Sequence, residues 1–156
     1  MSNQGIRGFY QLTETIKEQL LDDVNCNTVT TGDIYDVNLN KQDIFPLAHI
    51  IVNNVIQREQ TLTFNISILA MDIVDQSKNA TFDEFKGNSN EQDILNTQLS
   101  VLNKVIQVLR MGVLYTDKYQ LDSDVSCEPF YDRFENQLAG WTATMDIIIY
   151  NDITIC

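Results

Sequence analysis

Cysteine, histidine and positive charge are all scarce in this chain, and each scarcity argues against a class of function. The three cysteines, Cys26, Cys127 and Cys156, stand far apart with no CxxC pair. That spacing argues against a disulfide framework and a zinc site, and for a reducing compartment. The single histidine, His49, lies in the apolar run Leu47–Ile51. It has no second histidine to share a metal and no nearby nucleophile with an ordered base. A structural or interface histidine is expected. Lys and Arg together number 10 against 22 Asp and Glu, for a net charge of −12. Phosphate backbones are held by cations, and here the cations are scattered singly, so sequence-specific nucleic-acid binding is not expected. The acidity favours solubility and would repel DNA passing nearby. No apolar run reaches membrane-spanning length, and the N-terminus carries no basic-then-apolar signal pattern, so no membrane association is expected.

What is present suits one ordered domain. With 156 residues and 44% hydrophobic content, about two-thirds of the chain's surface can be buried on folding. Phe9, Leu12, Ile16 and Leu20 recur at helical spacing and predict a helix over 8–23. Val29–Thr31 reads as a strand entering a turn at Gly32-Asp33, with Ile34, Tyr35 and Val37 as its continuation. Phe45-Pro46 marks a loop entry. The β-branched run from Leu47 predicts a strand over 47–55, a turn at Arg58–Gln60, and a second strand from Thr61 to about Val74. In that second strand Leu62, Phe64, Ile66 and Ile68 alternate, then the phase slips to Leu69, Met71 and Ile73. Such a slip marks either a bulge or a strand buried on both faces at its end.

A polar loop over 75–90, anchored by Phe82 and Phe85, leads to a helix over 91–111. That helix has Asn90 as its cap, Gly112 as its stop, and Ile94, Leu95, Leu99, Leu102, Val105, Ile106 and Leu109 on its apolar face, widened by Val101 and Val108. Short extended segments at Leu114-Tyr115, Tyr119–Leu121 and Ser126–Tyr131 follow, and a terminal strand starts at about 140. In this strand Trp141, Ala143, Met145, Ile147 and Ile149 share one face. The predicted fold class is α+β, a mainly antiparallel sheet with two helices packed on one face, spanning 1–156 as one domain with a flexible N-terminus at 1–7.

Candidates for chemistry are thin. Asp117, Asp122, Asp124 and Glu128 fall in a region that reads as loops, but Asp122-Ser-Asp124 lacks the glycine and later spacing of a calcium loop, so a solvated acidic stretch is expected. Gly5-Ile-Arg-Gly8 follows no strand and is no phosphate cradle. Asp72 and Asp75 end a strand with no pocket partner in view, and Met71, Met111 and Met145 read as core. Trp141 fits a core aromatic bridging sheet and helix; it also fits a subunit anchor, since aromatics dominate interface energetics.

An N-terminal helix, a long hairpin (Leu47–Val55 and Thr61–Val74), a polar loop, a Leu/Val-rich helix (Ile94–Met111) and a final Gly-Trp-x-Ala-x-Met-Asp-Ile-x-Ile strand occur in that order. This order resembles the small neck proteins of tailed bacteriophages: the tail-terminator and head–tail connector group, including ring proteins of crAss-like phages. The resemblance implies a structural virion protein that is not an enzyme, with no catalytic, cofactor-binding or metal-binding residue. It would form a six- or twelve-fold ring of its own copies at the head–tail junction, beside portal, connector or tail proteins. DNA would pass through the lumen without sequence-specific binding. Assembly would occur in the bacterial cytoplasm, the mature location being the virion neck. Subunits would meet through sheet edges and an aromatic group of Phe130, Tyr131, Phe134 and Trp141, while the 75–90 loop would order on docking. The alternative from another class is an acidic monomeric binding module, or an inhibitor mimicking nucleic-acid charge.

Overall fold

The computed structural model describes residues 4–33, 44–74, 91–111, 120–133 and 138–150. The expected strands at Ile34–Val37 and Leu114-Tyr115, the loop at 75–90 with Phe82 and Phe85, the stop at Gly112, and Asp75, Asp117, Phe134 and Cys156 lie outside these residues. The described elements are α1 (Gln4–Leu21), β1 (Thr28–Thr31), β2 (Leu47–Gln57), β3 (Thr61–Ile73), α2 (Glu91–Met111), β4 (Gln120–Arg133) and β5 (Leu138–Tyr150). The strands form one sheet in the order β1-β2-β3-β5-β4. Only the β1–β2 pairing is parallel; the other three are antiparallel. This is the α+β architecture that the hydrophobic periodicity predicts.

Both helices pack on the same face of the sheet. Leu12, Ile16 and Leu20 of α1 and Val101, Leu102, Val105, Ile106 and Leu109 of α2 share one core. The strand residues that meet them are Ala48, Ile50, Phe64, Ile66, Ile68, Ala70, Ala143, Met145, Ile147 and Ile149. Burying a side chain of this size contributes about 1.5–3 kcal/mol each, which is why three- and four-residue spacing in the helices matches alternation in the strands. α1 starts five residues before Phe9, the first residue of the apolar periodicity, and runs through Gly5 and Gly8. It stops at Leu21, where Asp23 Oδ1 accepts the Asn25 N–H at 2.9 Å and turns the chain out of the helix.

The phase slip in β3 has a definite cause. Pairing of β3 with β5 is unbroken from Thr61↔Tyr150 to Ile73↔Leu138, so β3 carries no bulge there. Instead Leu69 and Met71 join Phe45, Leu47, Phe130 and Leu138 in a second core on the face opposite the two described helices, with Ile44, Ile51 and Ile73 packed around it. At this end the sheet is buried on both sides. A bulge does exist, but in β2, where the register shifts between Val52 and Asn54.

β4 is one long strand of 14 residues where the sequence predicts fragments. Its register against β5 breaks twice, between Asp122 and Ser126 and between Phe130 and Arg133. Asp122, Asp124 and Glu128 thus belong to an edge strand, not to loops. Bulges, exposed carboxylates and the exposed Pro129 are devices that blunt a sheet edge against further strand pairing.

Candidate functional site

His49 is buried completely and both ring nitrogens are engaged. Nε2 donates to the Gly32 carbonyl at 2.8 Å, and Nδ1 lies 2.6 Å from the Thr30 hydroxyl, which donates to it in the neutral tautomer. Burial is the first cause that holds its pKa below the usual 6.5, against opposing effects of the Gly32 carbonyl and the Asp33 charge. The ring ties β1 to β2 and has no free nitrogen for a substrate or metal. Gly32 itself takes a left-handed φ of 102°, which suits glycine at the turn leaving β1.

The other candidates from the sequence are placed as follows. Asp72 is half-buried, accepts the Ile73 N–H at 2.8 Å, and has its pKa raised first by burial. The Cys26 thiol is pushed up to about 11, first by burial and then by the Asp23 charge, and it donates to the Thr28 carbonyl at 3.7 Å. Burial also raises the Cys127 thiol. Neither thiol has the lowered pKa of a reactive cysteine. Among the described residues no group of three or more His, Cys, Asp or Glu could hold a metal ion. No described helix is long and apolar enough to cross a membrane.

Trp141 lies on the helix face, and its Nε1 donates to the Leu95 carbonyl of α2 at 2.8 Å. It bridges sheet and helix, the first of the two roles its sequence context fits. Phe130 is 3% exposed inside the second core. Pro129 pairs with Trp141 and Phe130 with Gly140, so Phe130 and Trp141 fall on opposite faces and do not form one patch. Tyr131 is part of β4. A polar residue that the apolar pattern passes over, Gln98, is 2% exposed. At 100° per residue it projects into the middle of the buried stripe of α2, a position a helical projection of the sequence reveals.

Among the described residues the densest polar structure is on the face opposite the two helices, beyond the second core. The β2 bulge sets Asn53 beside β3, where its Nδ2 donates to Asn65 Oδ1 and to Ser67 Oγ, both at 2.8 Å. Asn65 Nδ2 donates to Asp146 Oδ1 of β5 at 2.8 Å. The Ser67 and Thr144 hydroxyls lie 3.3 Å apart. The ladder therefore crosses β2, β3 and β5. The register carries it onto β4, with Asp122 opposite Asp146, Ser126 opposite Thr144 and Glu128 opposite Thr142. Asp122, Ser126 and Glu128 are exposed. Like charges on cross-strand partners are unfavourable, so Asp122 beside Asp146 is a local cost the fold tolerates. Chemically this strip can exchange hydrogen bonds and attract cations; it holds no nucleophile with a base.

No protein-family model matches the chain, and no curated protein is significantly similar to it.

Proposed function

We propose that the chain is a structural subunit of a homo-oligomeric ring at the head–tail junction of a tailed phage, joining portal or connector to tail around the DNA channel. One observation carries this reading. The molecule has two unlike outer layers, a helix layer over one face of the sheet and a hydrogen-bonded polar strip over the other. A contact between two unlike faces of successive copies is head to tail, and head-to-tail contacts close into rings when the rotation permits. The bulged, acidic β4 edge disfavours strand pairing at that side of the sheet, which favours contacts through the faces or the β1 edge. A net charge of −12 on each copy would line a channel that DNA passes without adhering, because carboxylates within a screening length of ~8 Å repel phosphate.

Mass spectrometry and cryo-electron microscopy of mature particles test the proposal. The expected result is density for this chain in a ring at the neck. Its absence from mature particles, or turnover of a small molecule by the purified chain, refutes it. The acidic-module alternative draws support from the exposed carboxylates Asp122, Asp124 and Glu128 spaced along β4. A stable monomer that captures a nucleic-acid enzyme would favour it.

A further inference from the structure

The partner of the open face can be read from the charges on the opposite layer. α2 exposes Asn96, Leu99, Ser100, Asn103, Lys104, Gln107 and Arg110 to solvent. Projected at 100° per residue, Asn96, Asn103, Gln107 and Ser100 run down the middle of that stripe, with Lys104 and Arg110 flanking it on either side. After Asp93 the helix has no acidic residue. The outward face of α2 is thus rich in amides and positively charged over its C-terminal half. The opposite face of the sheet presents Asn53, Asn65 and Thr144 and is negatively charged toward β4, at Asp146, Asp122 and Glu128. Lys104 and Arg110 on one layer and Asp122, Asp146 and Glu128 on the other are thus opposite in sign.

We infer that α2 of one copy docks across the open sheet face of the next, its amides meeting the Asn53–Asn65–Asp146 ladder and its Lys104 and Arg110 meeting Asp122, Asp146 and Glu128. This contact deepens the head-to-tail reading above and rests on it. The geometry suits one helix: α2 has 21 residues, about 31 Å of length at 1.5 Å per residue. The polar strip crosses four strands, about 15 Å from first to last at ~4.8 Å spacing, wide enough for a helix ~10 Å across. Among the described residues no helix lies over this strip, so the docking adds a second layer there. Lys104 already lies 3.6 Å from Asp22, with both side chains largely exposed. An exposed pair of that kind contributes little, so exchanging Asp22 for a carboxylate on a neighbour costs little.

Charge reversal in matched pairs tests the contact, read by sedimentation velocity and light scattering at low and high salt. All four reversed residues, Asp122, Glu128, Lys104 and Arg110, are exposed, so circular dichroism should show both variants folded. The wild type is expected to self-associate at low salt and to dissociate as salt screens the surfaces. D122K/E128K and K104E/R110E should each weaken association by at least about tenfold. Mixing the two variants should restore it, because the reversed sheet of one then faces the reversed helix of the other. Oligomers of wild-type strength from either variant alone would overturn this contact while leaving the ring proposal standing. A mixture that stays dissociated, or a wild type that remains monomeric at low salt and the highest soluble concentration, would also overturn it. The ring proposal is judged separately, by the location of the chain in the particle.

Discussion

Ile66 and Asn65 are neighbours in β3 and face two different worlds. Ile66 points into the helix-covered core with no exposure, paired with Val52 and Met145. Asn65 points to the open face, bonded to Asn53 and Asp146. The helix side is held by apolar area, which is non-directional and tolerates some repacking. The open side is held by a directional chain of hydrogen bonds that leaves it polar enough to receive a partner. Toward Gly140 and Met71 that contrast vanishes, because the second core closes the open face as well.

The largest effect is expected where the contrast vanishes. A Cβ at Gly140 would fall on the Ala70 carbonyl oxygen of the adjacent strand. The obstacle is backbone inside the β3–β5 ladder, so Gly140→Ala should exceed the ~1–3 kcal/mol typical of overpacking. Loss of a cooperative thermal transition, or of soluble protein, is the expected readout; a variant as stable as wild type would show that β3 and β5 can separate locally.

Truncating the two neighbours in β3 compares the faces directly. Ile66→Ala should cost about 2–5 kcal/mol in chemical denaturation, the range for a large aliphatic removed from a close-packed core. Asn65→Ala should cost only about 0.5–1.5 kcal/mol, since its former partners Asn53 and Asp146 can regain water. Equal losses would mean that the open face is sealed as tightly as the helix side. Trp141→Phe gives an intermediate case on the helix side: it removes the 2.8 Å bond to Leu95 and should cost about 1 kcal/mol or somewhat more.

His49 adds a pH dependence at the β1 edge. Its folded-state pKa lies below 6.5, so between 6.5 and that lower value the unfolded chain binds the proton and the folded chain does not. Stability contributed by the neutral ring is therefore full above pH 6.5 and is lost as pH falls below it, by at most about 1.4 kcal/mol per pH unit for one proton. Melting temperatures followed from pH 7.5 downward should fall in that window and do so less steeply in His49→Asn. Identical slopes would mean that the ring is protonated in place, with the Thr30 hydroxyl turned to accept.

Much of this architecture is readable in the sequence, and the gaps have physical causes. α2 is predicted with its observed bounds because its apolar spacing persists over 21 residues between polar flanks. Leu99, read as part of its apolar face, is instead 37% exposed, since it projects to the margin of the stripe, while Gln98 takes a central place. β4 reads as fragments because an edge strand is selected for charges, proline and bulges, which erase alternation. The polar ladder was not readable at all: it depends on the extra residue in β2 at Asn53, and a one-residue shift sends side chains to the other face. Phe130 and Trp141, named together as an expected subunit contact, lie one register step apart on opposite faces, a placement that depends on the β4–β5 register and not on residue type.

The smallest expected effect sharpens the comparison from outside the fold. Lys104→Ala removes a single exposed ion pair with Asp22, and its cost to the stability of the isolated chain should be about 0.2–1 kcal/mol or nothing measurable. If Lys104 serves only α1 and α2 within one copy, self-association should be as indifferent to the change as stability is. If it faces the acidic strip of a neighbour, association at low salt should weaken while the melting temperature stays put, and the difference should fade as salt is added. A single substitution with unequal effects on folding and on assembly thus separates a charge that belongs to the subunit from one that belongs to the contact between subunits.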